Sequence, residues 1–312
     1  MQPSVVFMGT PDFAVPPLLA LHAAGFRIPL VVTQPDRPKG RGRGLSAPPV
    51  KEAAQRLGYT VAQPLKVREP DFVACLQAVA PDFLVVVAFG QILPLNVLRI
   101  PKIGPINIHA SLLPKYRGPA PIQWAMIRGE RQTGVTTMLM DTGVDTGDIL
   151  QQVTTDIRTD ENADQLHCRL ANMGAGLVVE TLNRLRQGTV FPRAQKHDDA
   201  TYAPLLKKED GRIPWAQPAG RLDAFVRAMT PWPGAFCFWG DKRLKIILAH
   251  PINEVAHQTV PGTVVAGFPD ELRVTAGQGV LLIEQIQGDS GKRMAVKEFL
   301  RGHPLPPGTV LT

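Results

Sequence analysis

Short apolar runs alternate with amphipathic segments through the first half of the chain, and this alternation constrains the fold more than any other feature. The apolar runs predict buried strands near residues 5–8, 27–33, 59–62, 83–89, 106–109 and 134–140. The segments between them predict helices at residues 13–24, 50–57, 71–79 and 122–128. Strands separated by helices are typical of βαβ units, so we expect an α/β domain with a doubly wound parallel sheet.

The pattern changes in the second half of the chain. A long amphipathic helix is predicted at residues 163–186, whereas the following connector lacks periodicity. After a helix at 219–229, short β-type runs follow one another with Gly or Asp turns, which predicts a small antiparallel barrel. We therefore expect an α/β domain at residues 1–189, a linker at 190–207 and a β-barrel domain at 208–312.

Composition narrows the class of protein. A formal net charge of +7 favours an anionic partner. The three cysteines lie far apart and lack the spacing of a zinc site or a disulfide framework, which indicates a reducing compartment, the cytoplasm. We expect no metal and no secretion signal. Gly90 and Pro94 interrupt the most apolar stretch, so we expect no membrane-spanning helix.

The predicted strand at residues 106–109 carries the main candidate site. Asn107 and His109 are two positions apart, so an amide and an imidazole share one face of the strand at its carboxyl end. A lone histidine is more often a structural residue, but doubly wound sheets bind their ligands at this edge. We interpret the pair as part of a catalytic centre.

An acidic loop follows the predicted strand at 134–140. Asp141, Asp145 and Asp148 alternate with Gly143 and Gly147. One interpretation of these residues is an ordinary turn, in which Asp and Gly are common. The sequence does not match an EF-hand calcium loop, because the closing glutamate is missing.

Amide, imidazole and carboxylate groups together suggest a particular chemistry. The amide and a protonated imidazole can donate hydrogen bonds to a developing oxyanion, and a carboxylate can keep the imidazole charged and manage a proton. Ser111 lacks a nucleophile elbow, and no cysteine lies beside His109 in the sequence. We therefore predict direct acyl-type transfer between two bound substrates, without a covalent enzyme intermediate.

Several motifs together resemble those of the folate-dependent formyltransferases. They are Asn107-x-His109-x-Ser111-Leu112-Leu113-Pro114, Tyr116-Arg117-Gly118, Asp141-x-Gly143-x-Asp145-x-Gly147, Gly9-Thr10-Pro11-Asp12-Phe13-Ala14, Thr33-Gln34-Pro35-Asp36-Arg37-Pro38-x-Gly40-Arg41-Gly42 and Pro231-Trp232-Pro233-Gly234. Any one of them alone would be weak, but their combination is specific and extends along essentially the whole chain. The resemblance implies a Rossmann-like formyltransferase domain followed by a C-terminal OB-like β-barrel domain.

The resemblance also implies substrates and site residues. The formyl donor would be 10-formyltetrahydrofolate, and the acceptor would be the α-amine of methionine esterified to initiator tRNA, in translation initiation. The catalytic residues would be Asn107, His109 and Asp145. The folate would be bordered by Ser111, Leu112, Leu113, Pro114, Phe89, Gly90, Gln91 and Met140.

A basic insertion at residues 35–44 follows the second predicted strand. Its basic residues alternate with Gly and Pro, and such a run is ordinarily a solvated, mobile loop. Because the chain is basic and has a second domain, we instead predict tRNA phosphate contacts from Lys39, Arg41 and Arg43. Further candidates in the C-terminal domain are Lys207, Lys208, Lys242, Arg243, Lys245, Lys292 and Arg293.

Other functions compete with this interpretation. The same chemistry could act on a small amine, or water could replace the amine in a formyltetrahydrofolate hydrolase. A non-enzymatic RNA-binding module is a third class. The basic insertion and the second domain weigh against a small acceptor, and the Asn, His and Asp set weighs against a module without activity. Nothing in the sequence demands a partner chain, so we expect a monomer.

Overall fold

The structure is a computed structural model that describes residues 3–39, 44–254, 259–288 and 291–312. The chain forms two compact units. The first comprises Met1–Pro121, Gln132–Asp156 and His167–Pro204, and the second comprises Ile122–Arg131, Ile157–Leu166 and Leu205–Thr312. Each unit has its own β-sheet.

Nine strands lie in the described part of the first unit. They are β1 Ser4–Gly9, β2 Arg27–Val32, β3 Arg37–Lys39, β4 Gly44–Ser46, β5 Val61–Ala62, β6 Phe83–Val87, β7 Gly104–His109, β8 Gln132–Leu139 and β9 Ile149–Asp156. The helices up to residue 187 are α1 Val15–Ala23, α2 Pro49–Arg56, α3 Pro70–Val79, α4 Leu95–Leu98, α5 Pro121–Ile127 and α6 Ala163–Gln187. The long helices predicted from sequence are confirmed with bounds that differ by about one or two residues.

The main sheet has seven strands in the order β5-β2-β1-β6-β7-β8-β9. The first five in this order are parallel, which confirms the expected α/β class. The chain reverses its direction of travel across the sheet between β1 and β6, and this switch point is where such sheets bind ligands. β8 and β9 are antiparallel because a short loop joins them, and a parallel crossover needs a much longer connection.

The core of the first unit explains why its strands form. β1 and β6 are buried at every position, and a strand covered on both faces is apolar throughout rather than alternating. Their side chains share one cluster with Phe72 and Leu76 of α3. β9 was not predicted, because several of its residues are polar and only half-buried, as at Gln151 and Gln152.

The basic insertion departs from the open loop that the sequence suggested. β3 and β4 pair antiparallel, with Arg37 opposite Ser46 and Lys39 opposite Gly44. Arg41 and Arg43, two of the three residues predicted to bind tRNA, lie outside the described residues, as does the side chain of Lys39.

The second unit contains an antiparallel half-barrel. Its strands are β10 Ala235–Trp239, β11 Lys242–Ile252, β12 Val264–Val265, β13 Leu272–Thr275, β14 Val280–Gln287 and β15 Arg293–Ala295. The helices after residue 187 are α7 Ala219–Met229 and α8 Val296–Gly302. The order is β10-β11-β14-β13-β12, with β15 paired to β14. This architecture confirms the OB-like class, and α7 has the bounds predicted for it. None of the described helices is long and apolar enough to cross a membrane.

Candidate active site

β7 presents two polar side chains at its carboxyl end. It lies between β6, which runs parallel to it, and the antiparallel β8. Asn107 and His109 are only 9% and 6% exposed. Burial of polar groups is costly unless they are hydrogen-bonded, so their partners define what this site can do.

The imidazole of His109 has an acceptor near each ring nitrogen. Nε2 is 2.9 Å from the backbone carbonyl oxygen of Tyr116, and Nδ1 is 3.6 Å from Oδ2 of Asp145. A carbonyl oxygen can only accept, so Nε2 carries a proton and donates it to this bond. The carboxylate is too far from Nδ1 for a direct hydrogen bond. A protonated imidazole therefore keeps its Nδ1–H available to a substrate.

Asp145 lies in the loop between β8 and β9. Its Oδ1 accepts from Nδ2 of Asn107 at 3.3 Å, and its Oδ2 accepts from the backbone N–H of Gly118 at 2.8 Å. Its φ of 53° is in the left-handed region, which aspartate tolerates better than most residues but which its surroundings must hold. The structure thus brings together the three side chains expected to be catalytic.

Gln195 and Arg117 support this loop, and the sequence patterns assigned a role to neither. Nε2 of Gln195 donates to the backbone carbonyl oxygens of Asp145 and Gly147, at 2.9 and 2.7 Å. Its Oε1 accepts from Nε and Nη2 of Arg117, at 3.1 and 2.8 Å. Arg117 was noticed only as part of a motif. Gln195 lies in the segment expected to be a linker, where no sequence signal marks it.

Hydrogen bonds to other residues of the protein fix the segment from Ser111 to Pro114, which is predicted to border the folate. The Ser111 hydroxyl donates to the carbonyl oxygen of Lys115 at 2.6 Å, and the N–H of Leu113 donates to Oγ1 of Thr136 at 3.2 Å. Ser111 and Leu113 are buried, whereas Leu112 and Pro114 are half-buried. Leu112 and Pro114 are therefore the side chains of this segment that a ligand could reach.

The other predicted folate residues lie after β6 and β8. Phe89 is buried in the core of the first unit, and Met140 packs against that core. Gly90 is exposed with a φ of 86°. The Gln91 amide is used internally, because its Oε1 accepts from the N–H of Val67 at 2.9 Å. This leaves the backbone around Gly90 as the part accessible to a ligand.

A cavity of about 380 Å³ lies at the switch point of the sheet. Its lining joins the residues that follow β1 and β6 to the basic insertion, and comprises Thr10, Pro11, Gln34, Pro35, Arg37, Pro38, Ser46, Ala47, Pro48, Pro49, Ala88, Phe89 and Gly90. Nε2 of Gln34 is buried there with no hydrogen-bond partner among the described residues. A pocket of this volume, with a free donor among apolar walls, suits part of an organic substrate.

A family model described as formyl transferase matches residues 3–182, and one described as formyl transferase, C-terminal domain, matches residues 205–304. The chain belongs to the formyl transferase family. It is therefore an enzyme, a one-carbon group transferase.

Full-length relatives of this formyltransferase carry a more specific name. The methionyl-tRNA formyltransferase of Geobacter metallireducens is 50% identical over 307 residues, covering 98% of this chain and 97% of that protein. That of Caldanaerobacter subterraneus subsp. tengcongensis is 47% identical over 308 residues, covering 98% and 99%.

Two solved structures share the fold of this formyltransferase. WlaRD, a sugar 3N-formyl transferase, aligns with a TM-score of 0.66 at 17% identity, over 93% of this chain and 98% of that one. HypX from Aquifex aeolicus, in complex with tetrahydrofolic acid, aligns with a TM-score of 0.60 at 19% identity over 96% of this chain. The formyltransferase spans only 47% of HypX.

An ion pair anchors the base of the basic insertion. Nζ of Lys51 donates to both carboxylate oxygens of Asp36, at 2.8 Å each, and Nε2 of Gln63 donates to Oδ1 at 2.8 Å. These hydrogen bonds lower the pKa of Asp36 below its usual value, and the bond from Lys51 has the largest effect. Nη2 of Arg37 donates to Oε1 of Gln34 at 3.2 Å, so this cation borders the cavity.

Cations and aromatic rings alternate on the β10–β11 hairpin of the second unit. The guanidinium of Arg243 lies 3.6 Å from the ring centroid of Phe236, and the ammonium of Lys242 lies 5.2 Å from that of Trp239. Phe236 is buried and Trp239 is half-buried, so Trp239 is the ring of these two that a ligand could contact. Two of the C-terminal candidates, Lys242 and Arg243, thus lie beside aromatic side chains.

Proposed function

We propose that this enzyme transfers the formyl group of 10-formyltetrahydrofolate to the α-amino group of methionyl initiator tRNA, as a cytoplasmic, monomeric enzyme of translation initiation. The observation that carries the proposal is the cluster of Asn107, His109 and Asp145 in a chain whose full-length relatives are named for this reaction.

The amine is the nucleophile. A free α-amino group has a pKa of about 8, and esterification of the carboxyl group lowers it, so neutral amine is available near pH 7. When it attacks the formyl carbon, negative charge develops on the formyl oxygen. Nδ2 of Asn107 and Nδ1–H of His109 project from the same strand face and supply two donors to that oxygen.

Asp145 has two functions in this mechanism. Its carboxylate, 3.6 Å from Nδ1 of His109, stabilises the charged imidazole that donates to the oxyanion. It also assists transfer of the proton that the amine loses, through a water molecule, to the folate nitrogen that leaves. Bonds from Asn107 and Gly118 hold the carboxylate in place for both functions.

The substrates would meet at the carboxyl edge of the sheet. We assign the folate to Leu112, Pro114 and the backbone near Gly90. The walls would be shaped by the buried Ser111, Leu113 and Phe89 and the half-buried Gln91 and Met140. The free Nε2 of Gln34 and the Arg37 side chain give the neighbouring cavity polar contacts for a substrate.

We assign the folate and catalytic functions to residues 1–189 and tRNA binding to Lys39, Arg41, Arg43 and the domain at 208–312, joined by 190–207. Neutralising the three basic residues should raise the KM for charged tRNA and flatten its salt dependence, since each phosphate contact releases a counterion. An unchanged salt slope would show that the insertion is only a solvated loop.

Acceptor competition tests the function itself. Purified enzyme is incubated with 10-formyltetrahydrofolate and, separately, with methionyl initiator tRNA, uncharged tRNA, small amines or buffer alone, and formyl product is quantified. We expect formylation of charged initiator tRNA only. Transfer to small amines with equal efficiency, or release of formate without an acceptor, would replace the proposal with one of the competing functions.

A further inference from the structure

The amide of Gln195 has its orientation fixed by its neighbours. Its oxygen faces two donors of the Arg117 guanidinium, at 3.1 and 2.8 Å, and its nitrogen faces the carbonyl oxygens of Asp145 and Gly147, at 2.9 and 2.7 Å. Since an arginine can only donate and a carbonyl can only accept, a flipped amide would lose all four bonds. Gln195 is only 6% exposed, so water cannot readily replace them.

Arg117 provides the fixed point of this arrangement. It is 2% exposed, and its Nη1 and Nη2 also lie 3.3 Å from Nδ1 of His197. Because the guanidinium stays protonated and only donates hydrogen bonds, the oxygen of the Gln195 amide, and not its nitrogen, must face it. The side chains of Gln195 and His197 thus hold the buried guanidinium in place.

The segment at residues 195–203 also fixes the residues that bind His109 and Asp145. The N–H of Arg117 donates to the carbonyl oxygen of Thr201 at 2.8 Å, and the N–H of Tyr116 donates to Oγ1 of Thr201 at 2.9 Å. Tyr116 accepts the bond from Nε2 of His109, as described above. Residues 195–203 thus contact the site through both the Tyr116–Gly118 loop and the Asp145 loop.

We propose that Gln195 is a positioning residue for the Asp145 carboxylate, and that Arg117 orients the Gln195 amide for this purpose. The two bonds donated by Gln195 hold the loop backbone on either side of Thr146 and so maintain the left-handed conformation at Asp145. Without them the carboxylate would move away from Nδ1 of His109. The inference rests on the proposed catalytic function of Asp145.

Replacement of Gln195 by glutamate distinguishes two roles of this side chain, positioning of the Asp145 loop and acceptance of hydrogen bonds from Arg117. The carboxylate is nearly isosteric and pairs with the guanidinium at least as well, but it cannot donate to the two loop carbonyls. Misplacement of a reacting group by about 1 Å can cost about 10²-fold in rate, so we expect kcat to fall by about 10- to 100-fold with little change in KM. Gln195→Met removes the donors without adding charge, but it also removes the acceptor of Arg117, so its kcat alone does not separate the two roles.

The test is a double-mutant cycle on formyl transfer to charged tRNA, using Gln195→Glu, Asp145→Asn and both together. If Gln195 acts through Asp145, Gln195→Glu should reduce kcat by less than about threefold in an enzyme that already carries Asp145→Asn. Gln77→Glu, the same change on the exposed face of α3, is the matched control and should retain wild-type kcat. Thermal melting of each variant checks folding. If Gln195→Glu does not fold, the same cycle with Gln195→Met decides the outcome, because a loss that arises only from the unpaired Arg117 would persist when Asp145 is asparagine.

Distinct outcomes overturn distinct ideas. A wild-type kcat for Gln195→Glu, beside an impaired Asp145→Asn, would show that Gln195 only satisfies Arg117, and would leave the proposed function intact. An equal loss with and without Asp145 would also overturn the inference, since it indicates general disruption. No formyl transfer by the wild-type enzyme would refute the proposed function itself.

Discussion

Replacement of Asp145 by asparagine removes a charge while keeping the shape of the side chain. The Asn oxygen can still accept from the N–H of Gly118, which is 2.8 Å from Oδ2 in the native enzyme, but the Asn NH2 cannot accept the bond that Oδ1 receives from Nδ2 of Asn107. The substitution also removes a negative charge 3.6 Å from Nδ1 of His109, where the two side chains are only 14% and 7% exposed. A positioned group that manages a proton in the transition state typically contributes about 10²–10⁴ in rate. We therefore expect the single-turnover rate to fall by about 10²–10³.

Single-turnover formylation of methionyl initiator tRNA, with enzyme in excess, measures this loss without a contribution from product release. Asp141→Asn is the matched control, because Asp141 lies in the same loop but is exposed and accepts from Gly143 and Thr146 instead. We expect it to retain wild-type activity. A single-turnover rate for Asp145→Asn within about threefold of wild type, or an equal loss in Asp141→Asn, would refute this role of the Asp145 carboxylate.

Three further predictions concern other parts of the chain. Asn107→Ala should lower the single-turnover rate by about 10²–10³-fold through loss of one oxyanion donor, and a small change would remove it from the site. Lys51→Ala should raise the KM for charged tRNA severalfold with kcat unchanged in steady-state kinetics, because it releases Asp36 at the base of the β3–β4 hairpin. Asp82 accepts from the N–H and hydroxyl of Ser4, and the backbone bond, with smaller contributions from the hydroxyl and a nearby lysine, lowers its pKa. The ionised Asp82 carboxylate stabilises the fold fully above a pH of about 4, and this contribution is lost as the pH falls through the lowered pKa. The Tm difference between wild type and Asp82→Asn should therefore shrink in acid. A constant difference would contradict this.

Local sequence patterns predicted most of the fold. β1 and β6 are buried on both faces and therefore consist almost wholly of apolar residues, and α7 could be bounded from its periodicity. β9 was missed, since a half-exposed strand in an antiparallel pair carries polar residues that resemble a loop. The β3–β4 hairpin was missed because its pairing is not encoded by any apolar alternation.

The sequence by itself determined the α/β class, the change of architecture in the second half and the pairing of Asn107 with His109, because strand periodicity and residue order are local properties. Only the tertiary structure decided how the Asp145 loop meets that strand, at 3.3 Å from Asn107 and 3.6 Å from His109. It also showed that Gln195, 50 residues further along the chain, is bonded to the Asp145 backbone. Hydrogen bonds between residues so far apart depend on how the elements pack, and residue type alone carries no record of that packing.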